Sequence, residues 1–268
     1  MPLKVKTLIL RTAGTNCDQE TGLAFSYCGA ESHYVHINKL LKKEILLKDY
    51  HIFVLPGGFT YGDDIASGRI LANQLRLHLG ADFQQFIADG KLAIGICNGF
   101  QILVKSGFLP GFTFENPKAD FLQDVTLTHN NSAKFEDRWV YLKKDGRCVW
   151  TEGLKDIVYF PVAHAEGKFI PKDEETLVRL KRNQQIIFRY CAKSGRECVY
   201  PENPNGSVDH IAGITDTTGR ILGLMPHPER HFFFHQHPFW TRFDQKSFLG
   251  DGAQIFKSGV DYIKKRFL

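Results

Sequence analysis

The stretch Lys91-Leu-Ala-Ile-Gly-Ile-Cys-Asn-Gly-Phe-Gln101 decides how the chain is read. Leu92 to Ile96 is a short apolar run rich in isoleucine, the composition of a buried strand. Cys97 follows inside Gly95-Ile-Cys-Asn-Gly99, and Phe100 to Val104 reads as the opening of a helix. A strand that breaks into a helix at G-x-nucleophile-x-G is a nucleophile elbow, in which the flanking glycines permit a sharp turn and leave the side chain exposed. A cysteine gains twice there, because a helix N-terminus favours the thiolate, the reactive form. A buried structural cysteine in an ordinary strand-to-helix turn has the same local pattern, and the stretch alone leaves both open.

Outward from the elbow, strands and helices alternate. Val5 to Leu10, Ser32 to Ile37 and His51 to Leu55 read as strands. Glu20 to Tyr27, Leu40 to Leu47 (with Asn38 as N-cap) and Leu71 to Ala88 read as helices. This alternation predicts an α/β fold with an open, mostly parallel central sheet and helices on both faces. After Gly107 the runs Phe121–Thr128, Arg138–Leu142, Asp156–Ala163 and Ile186–Cys191 are short and strand-like, a β-rich elaboration in the second half of the chain. Ile211–Thr215 and Arg220–Leu224 suggest a hairpin, and Phe256, Val260, Ile263 and Phe267 recur at helical spacing. The 268 residues are expected to form one domain, with 230–268 as a variable tail and helix.

The composition narrows the function. A net charge of +5 is scattered without a basic block, which argues against nucleic acid as a partner. No run approaches a membrane span, and the start lacks the apolar core of a signal peptide. Six cysteines without disulfide or zinc spacing point to a cytoplasmic protein with reduced thiols.

A nucleophilic cysteine needs a base, a group that orients it, and an oxyanion hole. Leu222-Gly-Leu-Met-Pro-His-Pro-Glu-Arg230 ends a strand in a turn fixed by Pro226 and Pro228, which frame His227 as the base, and Glu229 is placed to set its tautomer. Pro56-Gly-Gly58 ends another strand with unhindered N–H groups, so the oxyanion donors chosen are those of Gly58 and Asn98. His164 and Glu166 form a second His-x-Glu pair and rival this choice. Tyr61, Asp63 and Asp64 lie in the Gly-rich loop beside the oxyanion turn, where solvated loop, partner contact and substrate-amine binding compete. His227, His231, His235 and His237 invite a metal reading, but Pro228 breaks the helix that would align them, and no metal is expected.

The Pro-Gly-Gly turn, the Gly-x-Cys-x-Gly-x-Gln elbow and the His-Pro-Glu ending resemble the class I (triad) glutamine amidotransferases, whose sheet is flavodoxin-like. The segments Pro56–Gly68, Gly95–Gln101, Asn130–Trp139, Pro161–Phe169, Asn203–Ser207 and Gly223–Arg230 narrow the resemblance to the glutaminase subunits or domains of phosphoribosylformylglycinamidine synthase, in purine biosynthesis. The resemblance implies that Cys97 attacks the amide of glutamine, His227 moves protons and Glu229 orients it. It also implies that Gly58 and Asn98 hold the oxyanion and that Gln101 and Phe59 bind substrate. Ammonia then passes to a larger synthase subunit, in some systems with a small accessory subunit, that uses ATP and magnesium; this chain carries no cofactor of its own. Lys134 stands where the family usually has Arg, Ala165 where Gly is usual, and the tail from His231 is longer and more aromatic than in small standalone subunits. A different cysteine hydrolase on the same architecture and a non-catalytic binding subunit are the competing classes.

Overall fold

The computed structural model describes residues 4–112, 114, 120–244 and 247–268. The first three residues of the leader reading lie outside that range. The strand–helix alternation resolves into β1 (Lys6–Arg11), α1 (Asp18–Tyr27), β2 (Glu31–His36), α2 (Ile37–Leu41), β3 (Ile52–Leu55), α3 (Arg69–Ala88), β4 (Leu92–Ile96) and α4 (Asn98–Lys105). The second half gives β5 (Val125–Thr128), β6 (Glu136–Lys144), β7 (Ile157–His164), β8 (Lys168–Pro171), α5 (Glu174–Arg182), β9 (Ile186–Cys191), β10 (Ile211–Thr215), β11 (Ile221–Leu224) and α6 (Ala253–Phe267).

One nine-stranded sheet runs in the order β2-β1-β3-β4-β11-β10-β9-β6-β7. Its first five strands pair in parallel. The second half joins the same sheet through antiparallel pairings, beginning with the β10–β11 hairpin. β5 and β8 form a separate two-stranded ribbon. The chain steps outward from β1 to β2 but in the opposite sense from β3 to β4. Right-handed crossovers therefore place α1 and α3 on opposite faces. α1 packs with α6, and α3 with α4. Phe25 and Phe256 meet edge to face at 5.0 Å under the first pair, while Phe83 and Phe108 stack at 4.1 Å under the second.

The central parallel strands β3 and β4 are apolar along their whole length and entirely buried, whereas the edge strand β2 is mostly polar and largely exposed. Because they are parallel and in register, β1, β3, β4 and β11 all deliver their carboxyl ends to one edge of the sheet. The chain reverses direction between β1 and β3, the switch point at which such sheets open a crevice.

Two expectations needed revision. The helix read over Leu40–Leu47 stops at Leu41, capped by the His36 side chain rather than by Asn38. Lys43 takes φ 56°, so the chain turns there and Leu47 is buried from a separate 3-10 turn, Leu47–Asp49. β8 and α5 had no counterpart in the sequence reading. Among the described residues no helix is long and apolar enough to cross a membrane.

The tightest approach in the fold is at Gly99, where a Cβ would stand 1.8 Å from the carbonyl oxygen of Leu55. Backbone cannot yield as a side-chain end can, so overpacking of about 1–3 kcal/mol is the minimum expected cost. Gly99→Ala should lower the urea midpoint accordingly. A variant as stable as the parent would show that β3 and α4 are not in such close contact.

Candidate active site

Four loops meet at the carboxyl edge of the sheet. The loop after β4 carries Cys97, at φ 52° and ψ −107°, a conformation outside the usual left-handed well. Three restraints hold it there. Its N–H donates to Leu224 O at 2.8 Å, and its carbonyl accepts from Phe100 and Gln101 as α4 begins. Gly99 allows the new helix to press on β3. The Cys97 thiol points toward Ala163 O, 3.7 Å away on β7.

The loop after β11 carries His227, whose N–H is tied to Pro161 O at 2.8 Å. Pro228 opens a single turn of 3-10 helix that brings Glu229 back under the ring. Nδ1 of His227 and Oε1 of Glu229 are 2.6 Å apart, and both residues are buried. Burial works against a charged imidazole here. It is outweighed by the Glu229 carboxylate and then by the Cys97 and Cys17 sulfurs, which together hold His227 well above 6.5. The structure thus brings Cys97, His227 and Glu229 together, the imidazole bonded to the Glu229 carboxylate and close enough to the Cys97 sulfur for that sulfur to favour its charged form.

The loop after β3 supplies Gly58 at φ 148°, a conformation suited to glycine. The neighbouring peptides are committed: Phe59 N–H donates to Gly14 O, and Asn16 N–H to Gly57 O. Neither Gly58 nor Asn98 donates its N–H to a backbone carbonyl among the described residues. Asn98 fixes the oxyanion loop through its side chain, accepting from Thr60 N–H at 3.2 Å. Phe59 is partly exposed, with its ring 6.4 Å from that of Phe135. The Gln101 amide is engaged at both ends: it accepts from Asn98 Nδ2 at 2.9 Å and donates to Glu166 O at 2.7 Å.

His164 is a different kind of histidine. Burial, reinforced by the charge on His227, pushes it down to about 3. It is neutral, packed on Gly167, and its Nδ1 has no hydrogen-bond partner among the described residues. Glu166 pairs with the buried Lys105 at 3.3 Å and accepts from Ser67 N–H, so it anchors the loop that follows the oxyanion turn. Asp63 closes the same network through Ser67 Oγ (2.9 Å) and Asn98 Nδ2 (3.3 Å). The tail histidines go elsewhere: His231 bonds Tyr159 O, His235 stacks on Phe233, and His237 lies against Trp139 and Phe243.

The fourth loop, after β1, was missed. It places Cys17 beside His227, with Arg230 Nη2 donating to its sulfur at 3.1 Å. The one signal in the sequence was topological: the polar turn through Asn16 and Asp18 ends a strand on the same edge as the other three.

A cysteine on a strand-to-helix elbow, beside a histidine and glutamate on the loop after the next parallel strand, is the arrangement of the triad glutamine amidotransferases. The chain belongs to the CobB/CobQ-like glutamine amidotransferase domain family, matched over residues 4–263. It is 48% identical over 265 residues to the phosphoribosylformylglycinamidine synthase subunit PurQ of Dehalococcoides mccartyi, covering 98% of this chain and 99% of that one. The same-named subunit of Archaeoglobus fulgidus is 43% identical, with 98% of each chain covered. A chain of the PurLQS structure from Thermotoga maritima superposes with a TM-score of 0.72 at 28% identity, covering 97% of this chain and 100% of that one. A glutamine amidotransferase of the same organism, 16% identical with a TM-score of 0.54, shares the fold.

The buried pair carries a pH signature. A histidine raised above its ordinary 6.5 contributes stability that is fully present below that value and lost as pH rises through the folded value. Glu229→Gln removes the carboxylate that raises it. The difference in unfolding free energy between the two proteins should be largest in weakly acid solution and shrink as the medium turns alkaline. Urea denaturation across pH checks this, and a pH-independent difference would place the proton elsewhere.

Proposed function

We propose that this chain is a glutaminase that hydrolyses glutamine to glutamate and ammonia and supplies the ammonia to a synthase partner. That partner uses ATP to convert formylglycinamide ribonucleotide to formylglycinamidine ribonucleotide in purine biosynthesis. The observation that carries the reading is the Cys97–His227–Glu229 arrangement at adjacent strand ends, in a chain so similar to the PurQ subunits.

In this reading Cys97 Sγ attacks the side-chain carbonyl carbon of glutamine, and His227 receives the thiol proton and gives it to the departing ammonia. Glu229 holds the imidazole by Nδ1 and stabilises its charge. The N–H groups of Gly58 and Asn98 take the oxyanion of the tetrahedral intermediate. Water, deprotonated by His227, then attacks the γ-glutamyl thioester, releasing glutamate and restoring the thiol. Phe59 lines the entry beside the oxyanion turn. Gln101, its amide spent on Asn98 and Glu166, acts by fixing the pocket wall. The partner is a larger synthase subunit, with a small accessory subunit as in the PurLQS neighbour, and ATP and magnesium belong to that partner. The chain works as one amidotransferase unit, a reading supported by the continuity of its sheet. Six free cysteines favour the cytoplasm.

Cys97→Ala in the reconstituted synthase should abolish glutamine-dependent amidine formation while ammonium salts still support it. Glutamine-dependent turnover at a tenth of the parent rate would sink the assignment, since loss of a nucleophile costs several orders of magnitude. The second expectation concerns restraint. An oxyanion donor turned away removes about 3–4 kcal/mol. The turn at Gly58 leads into a loop in which Tyr61, Gly62, Asp63, Ile65 and Gly68 all have positive φ. The isolated chain should therefore be a poor glutaminase, activated when the partner and its nucleotide substrate order this loop. Equal steady-state rates for the isolated chain and the complex would refute that.

A further inference from the structure

Cys17 has no part in the thioester chemistry, yet it sits in the middle of the site. It is the residue before α1, almost fully buried, with its N–H held by Gly57 O at 3.1 Å. A Cβ on Gly57 would lie 2.9 Å from its sulfur and 2.8 Å from Cε1 of His227, so the absence of a side chain there lets thiol and imidazole share one space. One ligating atom each from Cys17, His227 and Glu229 all lie within 4.8 Å of one another. Among the described residues this is the only set of three or more histidine, cysteine or carboxylate donors so close together. A second observation is independent of the first. Among the described residues the buried Oε2 of Glu229 accepts no hydrogen bond, leaving a carboxyl oxygen unsatisfied inside the protein.

We propose that Cys17, His227 and Glu229 form a binding site for a thiophilic divalent cation, zinc being the reference ion, which switches the glutaminase off by occupying its base. One thiolate, one imidazole and one carboxylate are a donor set that zinc accepts, with a fourth position left toward the pocket. Tetrahedral zinc sets its ligand atoms about 3.5 Å apart, so the Cys17 sulfur closes inward while Glu229 gives up its 2.6 Å bond to Nδ1 of His227 and turns a carboxylate oxygen to the ion. Binding exchanges the Cys17 S–H bond for a sulfur–metal bond and also displaces the proton that Glu229 holds on His227, so two protons leave and binding strengthens as pH rises. The opposing charge is Arg230, whose guanidinium now holds the Cys17 sulfur. That side chain is 39% exposed and already reaches Glu20 at 3.6 Å, which gives it a place to turn when the ion arrives. The inhibition rests on the glutaminase reading above, whereas the binding does not.

The test separates the two. Cobalt(II) added to full-length Cys97→Ala should give a near-ultraviolet thiolate-to-cobalt charge-transfer band saturating at one equivalent. The band should vanish in Cys97→Ala/Cys17→Ser and in Cys97→Ala/Cys17→Ala, whose four remaining cysteines are unchanged. Absence of the band in the first protein, or its persistence in a folded double variant, overturns the site. For the inhibition, glutaminase activity of the partner complex is titrated with zinc, each protein normalised to its own metal-free rate. Cys17→Ser should raise the half-inhibitory concentration at least tenfold. An unchanged value would show that zinc acts through Cys97 without Cys17, and would overturn the switch.

Discussion

The site depends on keeping one non-glycine residue, Cys97, in a backbone conformation that it would not choose. A residue held in such a region costs roughly 1–3 kcal/mol and persists only where its surroundings over-determine it. Here the surroundings are three neighbouring strands. β11 supplies the acceptor for the Cys97 N–H, β3 lets α4 approach through Gly99, and β4 delivers the residue itself. The same parallel pairing that fixes the elbow brings His227 alongside it, because β11 is the next strand and is in register with β4. The strained conformation and the placement of His227 are thus two results of one register.

The second half of the chain completes what the parallel half begins. Asn130 donates to His164 O and accepts from Gly167 N–H, so the ends of β5 and β7 are pinned to each other. Asn205 reaches Tyr190 and the ring of His164 and accepts from Ser207, which in turn holds Phe169 N–H. Phe169 stacks against Phe100 of α4, behind the nucleophile. The polar segments that carried the family resemblance therefore converge on one scaffold beneath the elbow. A buried network of this kind adds little net stability but resists rearrangement. That suits a platform on which Ala163 O must face the Cys97 sulfur.

The legibility of the chain follows from which forces are local. The central parallel strands β3, β4 and β11 were plain because burial on both faces makes them continuous apolar runs. The elbow and the Pro-His-Pro turn were plain because glycine and proline state their backbone requirements at the residue itself. α5 was not, because only Leu180 among its apolar residues is fully buried and the hydrophobic stripe is thin. Its real signals were the Asp173 cap and the passage from Glu174 and Glu175 to Arg179, Lys181 and Arg182 along the helix dipole. Leu40 to Leu47 failed for the opposite reason: a convincing apolar spacing was interrupted by Lys43 turning left-handed. The place of Cys17 was invisible because its neighbours Gly57, His227 and Arg230 come from loops far apart in sequence, and only the strand order joins them.

The loop from Phe59 to Gly68 shows how the oxyanion turn and the scaffold form a single mechanical unit. Ile65 is 88% exposed at φ 72°, and a β-branched residue in that region is a genuine outlier. No burial energy compensates its strain, so hydrogen bonds at the base of the loop must. Those bonds run from Ser67 to Glu166 and Asp63, and from Lys105 to both the Ser67 carbonyl and Glu166. At the other end, Thr60 N–H rests on the side chain of Asn98, whose own backbone N–H faces the reacting centre in the proposed mechanism. A displacement of the loop tip is therefore passed along stiff polar links to Gly58 and Asn98. It need not be absorbed by a soft apolar contact on the way. The strain at the tip and the rigidity at the base are what the proposed gating uses, since they would let a bound partner act on the chemistry without touching the cysteine.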